Sequence, residues 1–370
     1  MRHALTLIGL LLIVPASPAQ DVPPRPSKPP AEVKAAFLKL LDRPRVPLDV
    51  RSGETKREDR GLVVQRVDFA VEKLPDGSTE RVPALVVRPR AAREGARMPA
   101  VIVLHGTGGK KEGSRPWLDE LARRGFVAVA IDGRYHGERA GGQSGTKAYN
   151  AAVVDAWKSK PGDPQAHPFY YDTCWDAWRT IDYLQTRDDV DPGRVGMIGI
   201  SKGGIETWLA GAVDDRIKVA VPAISMQSFR WSLDHELYQA RANTIREAHQ
   251  DVAAELGEPK VNARVCRELW SKVIPGILDD FDGPSMVRLF AGRPLLILSG
   301  ERDPNCPIEG AEIAFLAAKV AYREARAEDR LKIMVARNTG HAITPEQHAA
   351  ALDWFVTWLR PEPPPAGAAR

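Results

Sequence analysis

A chain of 370 residues, 44% of them hydrophobic, is long enough to bury a large core, in one big α/β domain or two smaller ones. Its formal net charge of +4 is small for that length, and basic residues such as Arg57, Arg60, Arg123 and Arg124 are interspersed with acids, which excludes an electrostatic case for nucleic acid. The three cysteines, Cys174, Cys266 and Cys306, cannot all pair within one chain, so a disulfide framework is excluded, while a single bridge stays open.

The chain opens on the basic Met1-Arg2-His3, an apolar run from Leu5 to Val14 and the small residues Pro15-Ala16-Ser17-Pro18-Ala19. This pattern predicts a signal peptide over 1–19, cleaved after Ala19. The apolar run is short for a bilayer span and no cysteine follows for lipidation, so a secreted or periplasmic product, without stable membrane insertion after signal cleavage, is expected over the alternative of an uncleaved anchor. Residues 20–60 read as a proline-rich linker, Val22 to Pro30, and a short amphipathic helix, Ala31 to Leu41. Folding proper is expected over 61–360, and the proline-rich 361–370 has the composition of a disordered tail.

Leu62 to Val71 and Val82 to Val87 read as strands joined through the turn Pro75-Asp76-Gly77-Ser78, an antiparallel hairpin. From Pro99 onward short buried β runs alternate with helical stretches. The runs are Ala100 to Leu104, Val127 to Ile131, Val195 to Ile200, Val219 to Val221, Leu295 to Ser299 and Leu331 to Val335. Such alternation predicts a mostly parallel eight-stranded sheet covered by helices on both faces. Two connections are too long for ordinary loops, Gly137 to Asp172 and Met226 to Ala291. The second holds helical stretches at Ala240 to Leu256 and Val261 to Val273 and is read as a helical lid inserted over the active face. Trp175, Trp178, Trp231 and Trp270 fit core positions better than a pocket wall.

Gly199-Ile200-Ser201-Lys202-Gly203 follows the strand Val195 to Ile200 and opens an amphipathic helix. That is the strand, sharp turn and helix context in which G-x-S-x-G holds a nucleophilic serine, the glycines sparing a clash as the helix folds back. A serine hydroxyl needs a base, and the base needs an orienting acid. Ligands bind beyond the carboxyl ends of strands in such sheets, and two strands end there usefully. Leu295 to Gly300 leads into Glu301-Arg302-Asp303-Pro304, and Leu331 to Val335 leads into Asn338-Thr339-Gly340-His341. The order Ser201, Asp303, His341 fits a triad, with Glu301 as a rival acid. Thr344-Pro345-Glu346-Gln347 predicts a capped helix start that pins the histidine loop. Asp303 alone would pass for a turn residue and His341 alone for a surface histidine; their joint placement is what points to chemistry.

The oxyanion needs donors, expected from the backbone amides of Lys202 and of Thr107 in His105-Gly106-Thr107-Gly108-Gly109. The Lys202 side chain reads as a surface or supporting charge, not a base. His105, Asp132, Arg134, Tyr135 and His136 sit at neighbouring strand ends, chiefly as loop-pinning groups, with His105, Tyr135 and His136 kept as candidate pocket residues. Neither a phosphate-loop spacing nor H-E-x-x-H nor paired cysteines occur, so no nucleotide, metal or other cofactor is expected.

Together these residues resemble the α/β-hydrolase superfamily from about Leu62 to Leu359, and within it the dienelactone hydrolase and acetyl xylan esterase branch, related to the catalytic domain of prolyl oligopeptidases. The carriers are His105-Gly106-Thr107-Gly108, Ser201 in its turn, Gly300-x-x-Asp303-x-x-Cys306-Pro307 and Gly340-His341. Dienelactone hydrolases use cysteine where this chain has Ser201, which moves the resemblance toward esterases. No segment before the first strand is long enough for the propeller of ordinary prolyl oligopeptidases. The resemblance implies a cofactor-independent serine hydrolase of a small-molecule or carbohydrate ester. A peptidase or thioesterase would use the same residues, and an inactive binding protein on this fold is the reading from another class. Oligomeric state is not legible.

Overall fold

The computed structural model describes residues 28–360 except 59–60, 91–94 and 144. The expected signal peptide at 1–19 and the tail at 361–370 lie outside the described residues. Nine strands form one sheet: β1 (Arg51–Glu58), β2 (Leu62–Lys73), β3 (Thr79–Pro89), β4 (Met98–Leu104), β5 (Val127–Ile131), β6 (Val190–Ile200), β7 (Ile217–Ala223), β8 (Leu295–Gly300) and β9 (Leu331–Ala336). Their spatial order is β1-β2-β3-β5-β4-β6-β7-β8-β9. β1, β2 and β3 run antiparallel to their neighbours, and every pairing from β5 across to β9 is parallel. The helices are α1 (Pro30–Leu40), α2 (Arg115–Arg123), α3 (Lys147–Lys158), α4 (Tyr171–Gln185), α5 (Lys202–Val213), α6 (Phe229–Asp234), α7 (Gln239–Asn243), α8 (Arg246–Glu255), α9 (Ala263–Val273), α10 (Gly283–Met286), α11 (Ile308–Glu324) and α12 (Pro345–Leu359).

Strand periodicity explains the layering. Ala100, Ile102 and Leu104 of β4 face the core under α1, α4, α5 and α11, while Val101 and Val103 face Leu118 and Leu121 of α2 and Leu352 and Phe355 of α12. Both faces are covered, so the central strands are apolar at every position. Each fully buried valine or leucine there contributes about 1.5–3 kcal/mol. The segment Met226 to Ala291 carries α6 to α10, and its Phe229, Val252, Trp270 and Val287 join the same core as the sheet's upper face. Trp175, Trp178 and Trp270 are core residues too, each indole N–H satisfied by an acceptor.

The ninth strand corrects the expected eight. β1 reads Arg-Ser-Gly-Glu-Thr-Lys-Arg-Glu, polar throughout, as suits an edge strand whose charges discourage further pairing. It lies ahead of residue 61, the expected start of folding proper. α1 is the short helix expected at Ala31 to Leu41, and it packs on the domain: Val33, Phe37 and Leu41 are fully buried, and the Phe37 ring meets Tyr171 edge-on at 5.2 Å and Phe281 at 5.0 Å. Residues 30–58 therefore pack with the domain instead of leading up to it.

Candidate active site

Ser201 stands between β6 and α5 with φ 54° and ψ −113°, a conformation that costs energy in a non-glycine residue. Two glycines make it possible. A Cβ on Gly199 would collide with the Gly203 carbonyl, and one on Gly203 would collide with the Leu104 carbonyl of β4. The Ser201 amide donates to Ala223 O at 2.9 Å, so the turn is fastened to β7.

Ser201 Oγ–H donates to His341 Nε2 at 2.7 Å, and His341 Nδ1–H donates to Asp303 Oδ2 at 2.7 Å. The other Asp303 oxygen accepts the amides of Asn305 at 2.8 Å and Cys306 at 3.2 Å. Asp303 is buried while the His341 side chain keeps 22% exposure, so the acid is shielded and the base stays reachable. The loops that carry them are stitched together: Arg302 N donates to Thr339 O at 2.8 Å and Glu301 N to Ala336 O at 3.0 Å. Glu301, the rival acid, is spent on the Asn338 amide at 2.6 Å. The Thr344 and Gln347 capping box is present, and the Gln347 amide also bridges Ser299 O and Met334 O, tying the ends of β8 and β9 beneath the histidine loop.

Lys202 is the first residue of α5, so its amide is one of the helix donors left free by the fold, at the positive end of the macrodipole. The His105 to Gly109 loop lies against the serine turn. A Cβ on Gly106 would stand 3.3 Å from Ile200 O and 3.6 Å from Ser201 Cβ, which brings the Thr107 backbone to the same edge. The Lys202 side chain departs from its expected surface setting. It is fully buried and donates to Glu206, in a space left by Gly133, where a Cβ would stand 2.9 Å from Nζ. Burial pushes the Glu206 carboxyl up to about 7 against the pull of Lys202.

Of the candidate pocket residues, His105 pins loops. Its Nδ1–H donates to Gly106 O at 2.8 Å and its Nε2 accepts the Gly133 amide at 3.0 Å. Burial, then Lys202, pushes it down to about 4, so the ring is neutral. His136 donates from Nδ1 to Arg134 O at 2.7 Å, and burial drives it down to about 2; its Nε2 is buried without a partner. Tyr135 is half-buried and lines a surface hollow with Asp155, Lys158 and Pro164. Asp132 and Arg134 are structural. Asp132 accepts the Lys111 amide and ammonium, each at 2.8 Å, and Arg134 grips both Asp176 oxygens at 3.0 Å.

Sequence reasoning missed the depth of that ion layer and missed Arg241 and Tyr170, buried beside the acid loop, and Tyr149, buried against His136 and Lys202. Only the positive φ of Tyr170 sets any of them apart, and no sequence pattern signals it. All three cysteines are free and buried. Asp303, Cys306 and His341 have donor atoms within 4.8 Å of one another, a spacing that would suit a metal. Asp303 and His341 are bonded to each other there, and Cys306 Sγ accepts from Arg241 Nη2 at 2.8 Å, so each of the three already has a partner.

Residues 76–268, which include Ser201, match the X-Pro dipeptidyl-peptidase family (S15 family). The chain belongs to this family. It is thus a hydrolase of the α/β-hydrolase superfamily, as the sequence motifs imply, in a family described by peptidase activity. The Bacillus subtilis protein YtaP, named as a hydrolase, is 26% identical over 293 residues, covering 76% of this chain and 84% of its own. The B. subtilis protein YuxL, named as a peptidase, is 24% identical over 82% of this chain, but the match spans 40% of YuxL. Among solved structures, an acetyl xylan esterase from Paenibacillus sp. R4 superposes with a TM-score of 0.59 at 18% identity, covering 89% of this chain and 93% of that one. At that identity the likeness speaks for the fold.

Proposed function

We propose that this S15-family chain is an exported serine hydrolase that cleaves a carboxylic ester through an acyl-enzyme. The observation that carries the reading is the unbroken hydrogen-bonded series from Ser201 Oγ through His341 to Asp303, with Ser201 at the N-cap of α5. As Ser201 Oγ attacks the ester carbonyl, His341 Nε2 takes its proton and Asp303 holds the imidazolium in place. The amides of Lys202 and Thr107 receive the charge on the tetrahedral oxygen. Collapse expels the alcohol with the proton from His341, and a water activated by the same nitrogen then releases the acid. None of these steps requires a cofactor. Export rests on the N-terminal sequence; among the described residues no helix is long and apolar enough to cross a membrane.

The family description supports a second reading, removal of an X-Pro dipeptide. That reaction must hold a substrate ammonium near the scissile bond, which calls for an acidic group. The buried charge beside the acid loop is instead the cation of Arg241, which repels an ammonium and favours the ester reading. Hydrolysis of p-nitrophenyl acetate and of Ala-Pro-p-nitroanilide separates the two. Ester turnover that falls at least about 10⁴-fold in Ser201→Ala, with unchanged melting, is the expected result. Turnover that survives in Ser201→Ala, or turnover of the anilide alone, overturns the proposal.

A further inference from the structure

The guanidinium of Arg241, on α7, is held in an unusual state. The residue is 1% exposed, and only Nη2 has acceptors, Asn305 O at 3.1 Å and Cys306 Sγ at 2.8 Å. Nε and Nη1 are buried without a hydrogen-bond partner, which leaves three N–H donors unanswered. Cys306 is no counter-ion, because its buried thiol stays protonated. Asp303 acts on Arg241 through space, but its oxygens are committed to His341 and to the Asn305 and Cys306 amides. Interiors rarely keep an unanswered cation, since desolvation makes it costly.

Arg241 is not alone. The hydroxyls of Tyr149 on α3 and Tyr170 just before α4 are also buried without partners, and both side chains feel the Arg241 charge. Tyr170 is close enough to couple to the cation, yet the two miss hydrogen-bond geometry. Its φ of 88° is a strained conformation that persists only where the surroundings impose it. The set adjoins the reaction centre, because Cys306 Sγ lies within 4.8 Å of an Asp303 oxygen and a His341 ring nitrogen. Unused donors around one fixed positive charge, next to the catalytic base, make a receptor for a single anion.

We propose that Arg241, with Tyr149 and Tyr170, binds a carboxylate carried by the substrate, so that the hydrolysed ester bears an anionic group on its acyl or its alcohol side. One cation matches one carboxylate in charge, and the two hydroxyls can donate to its remaining lone pairs. The substrate assignment rests on the esterase reading; the anion site itself does not.

The test compares monomethyl adipate with methyl heptanoate, and 6-acetoxyhexanoate with heptyl acetate, pairs that place or omit a carboxylate on the acyl and alcohol sides. In one pair at least, the anionic ester is expected to have kcat/KM about tenfold or more above its neutral match. Arg241→Gln should cut that anionic-to-neutral ratio about tenfold or more, with Arg241→Lys in between and melting curves showing that both variants fold. Equal rates within both wild-type pairs, or a ratio unchanged in Arg241→Gln, overturns the proposal. Calorimetric titration of Ser201→Ala with adipate separates this inference from the esterase reading. Binding lost in Ser201→Ala/Arg241→Gln upholds the anion site even if no ester is turned over, and no binding at millimolar adipate overturns it.

Discussion

Two buried arginines of this protein are set in opposite ways. Arg134, behind the β5 end, spends every nitrogen on carboxylates: Nε and Nη2 on Asp176 at 3.0 Å and Nη1 on Glu72 at 2.5 Å. Arg43 and Arg139 extend the layer through Glu72, Asp172, Asp176 and Glu80. Arg241, on α7, has one nitrogen satisfied and two without partners. A charge answered on all sides fastens elements together, here β2, the β5 loop and α4. A charge left unanswered beside a reaction centre is kept for something that arrives later.

The contrast breaks most sharply through stability. Arg134→Met leaves Glu72 Oε1 and Asp176 Oδ1 in the interior without the guanidinium they accept from, with only Arg43 and Arg139 left to hold the two carboxylates, and should cost about 3 kcal/mol in urea unfolding. Acid is the next lever. Burial alone would raise the Asp176 carboxyl, but Arg134 and Arg139 outweigh it and hold it down to about 2, from an ordinary 3.8. The stability this lends is present above pH 3.8 and is lost as pH falls toward 2, about 2 kcal/mol in all. Asp176→Asn should flatten that part of the stability-against-pH curve; an unchanged slope would remove Asp176 from the layer. Arg241→Met should shift stability least, within about 1 kcal/mol, because it deletes a cation that lacked its full set of partners. A loss as large as that of Arg134→Met would make Arg241 structural and erase the comparison.

Much of the site was legible because its residues sit where short local patterns end. Ser201 follows an apolar strand between two glycines, Asp303 and His341 each follow another, and Thr344 to Gln347 announce the helix behind the histidine. Those signals are local, and local sequence reports them. β1 was not legible: its neighbours across the sheet are Leu62 to Asp68, but none of its own residues is apolar. Only pairing with β2 makes Arg51–Glu58 a strand. α1 showed its apolar stripe, yet what it packs on, Tyr171 and Phe281, lies far along the chain. The same holds for Arg241, whose acceptor Cys306 is 65 residues away. Lys202 misled for the opposite reason, since a lysine next to an exposed-looking turn suggests water, and its burial depends on Glu206 one helical turn on and on the empty space at Gly133.

The central claim is that Ser201 is the nucleophile. Intact-mass spectrometry after treatment with a fluorophosphonate tests it with no assumption about substrate. The account predicts a single stoichiometric adduct that maps to Ser201 and disappears in Ser201→Ala. An unlabelled wild-type protein, or an adduct that persists in Ser201→Ala, would contradict it.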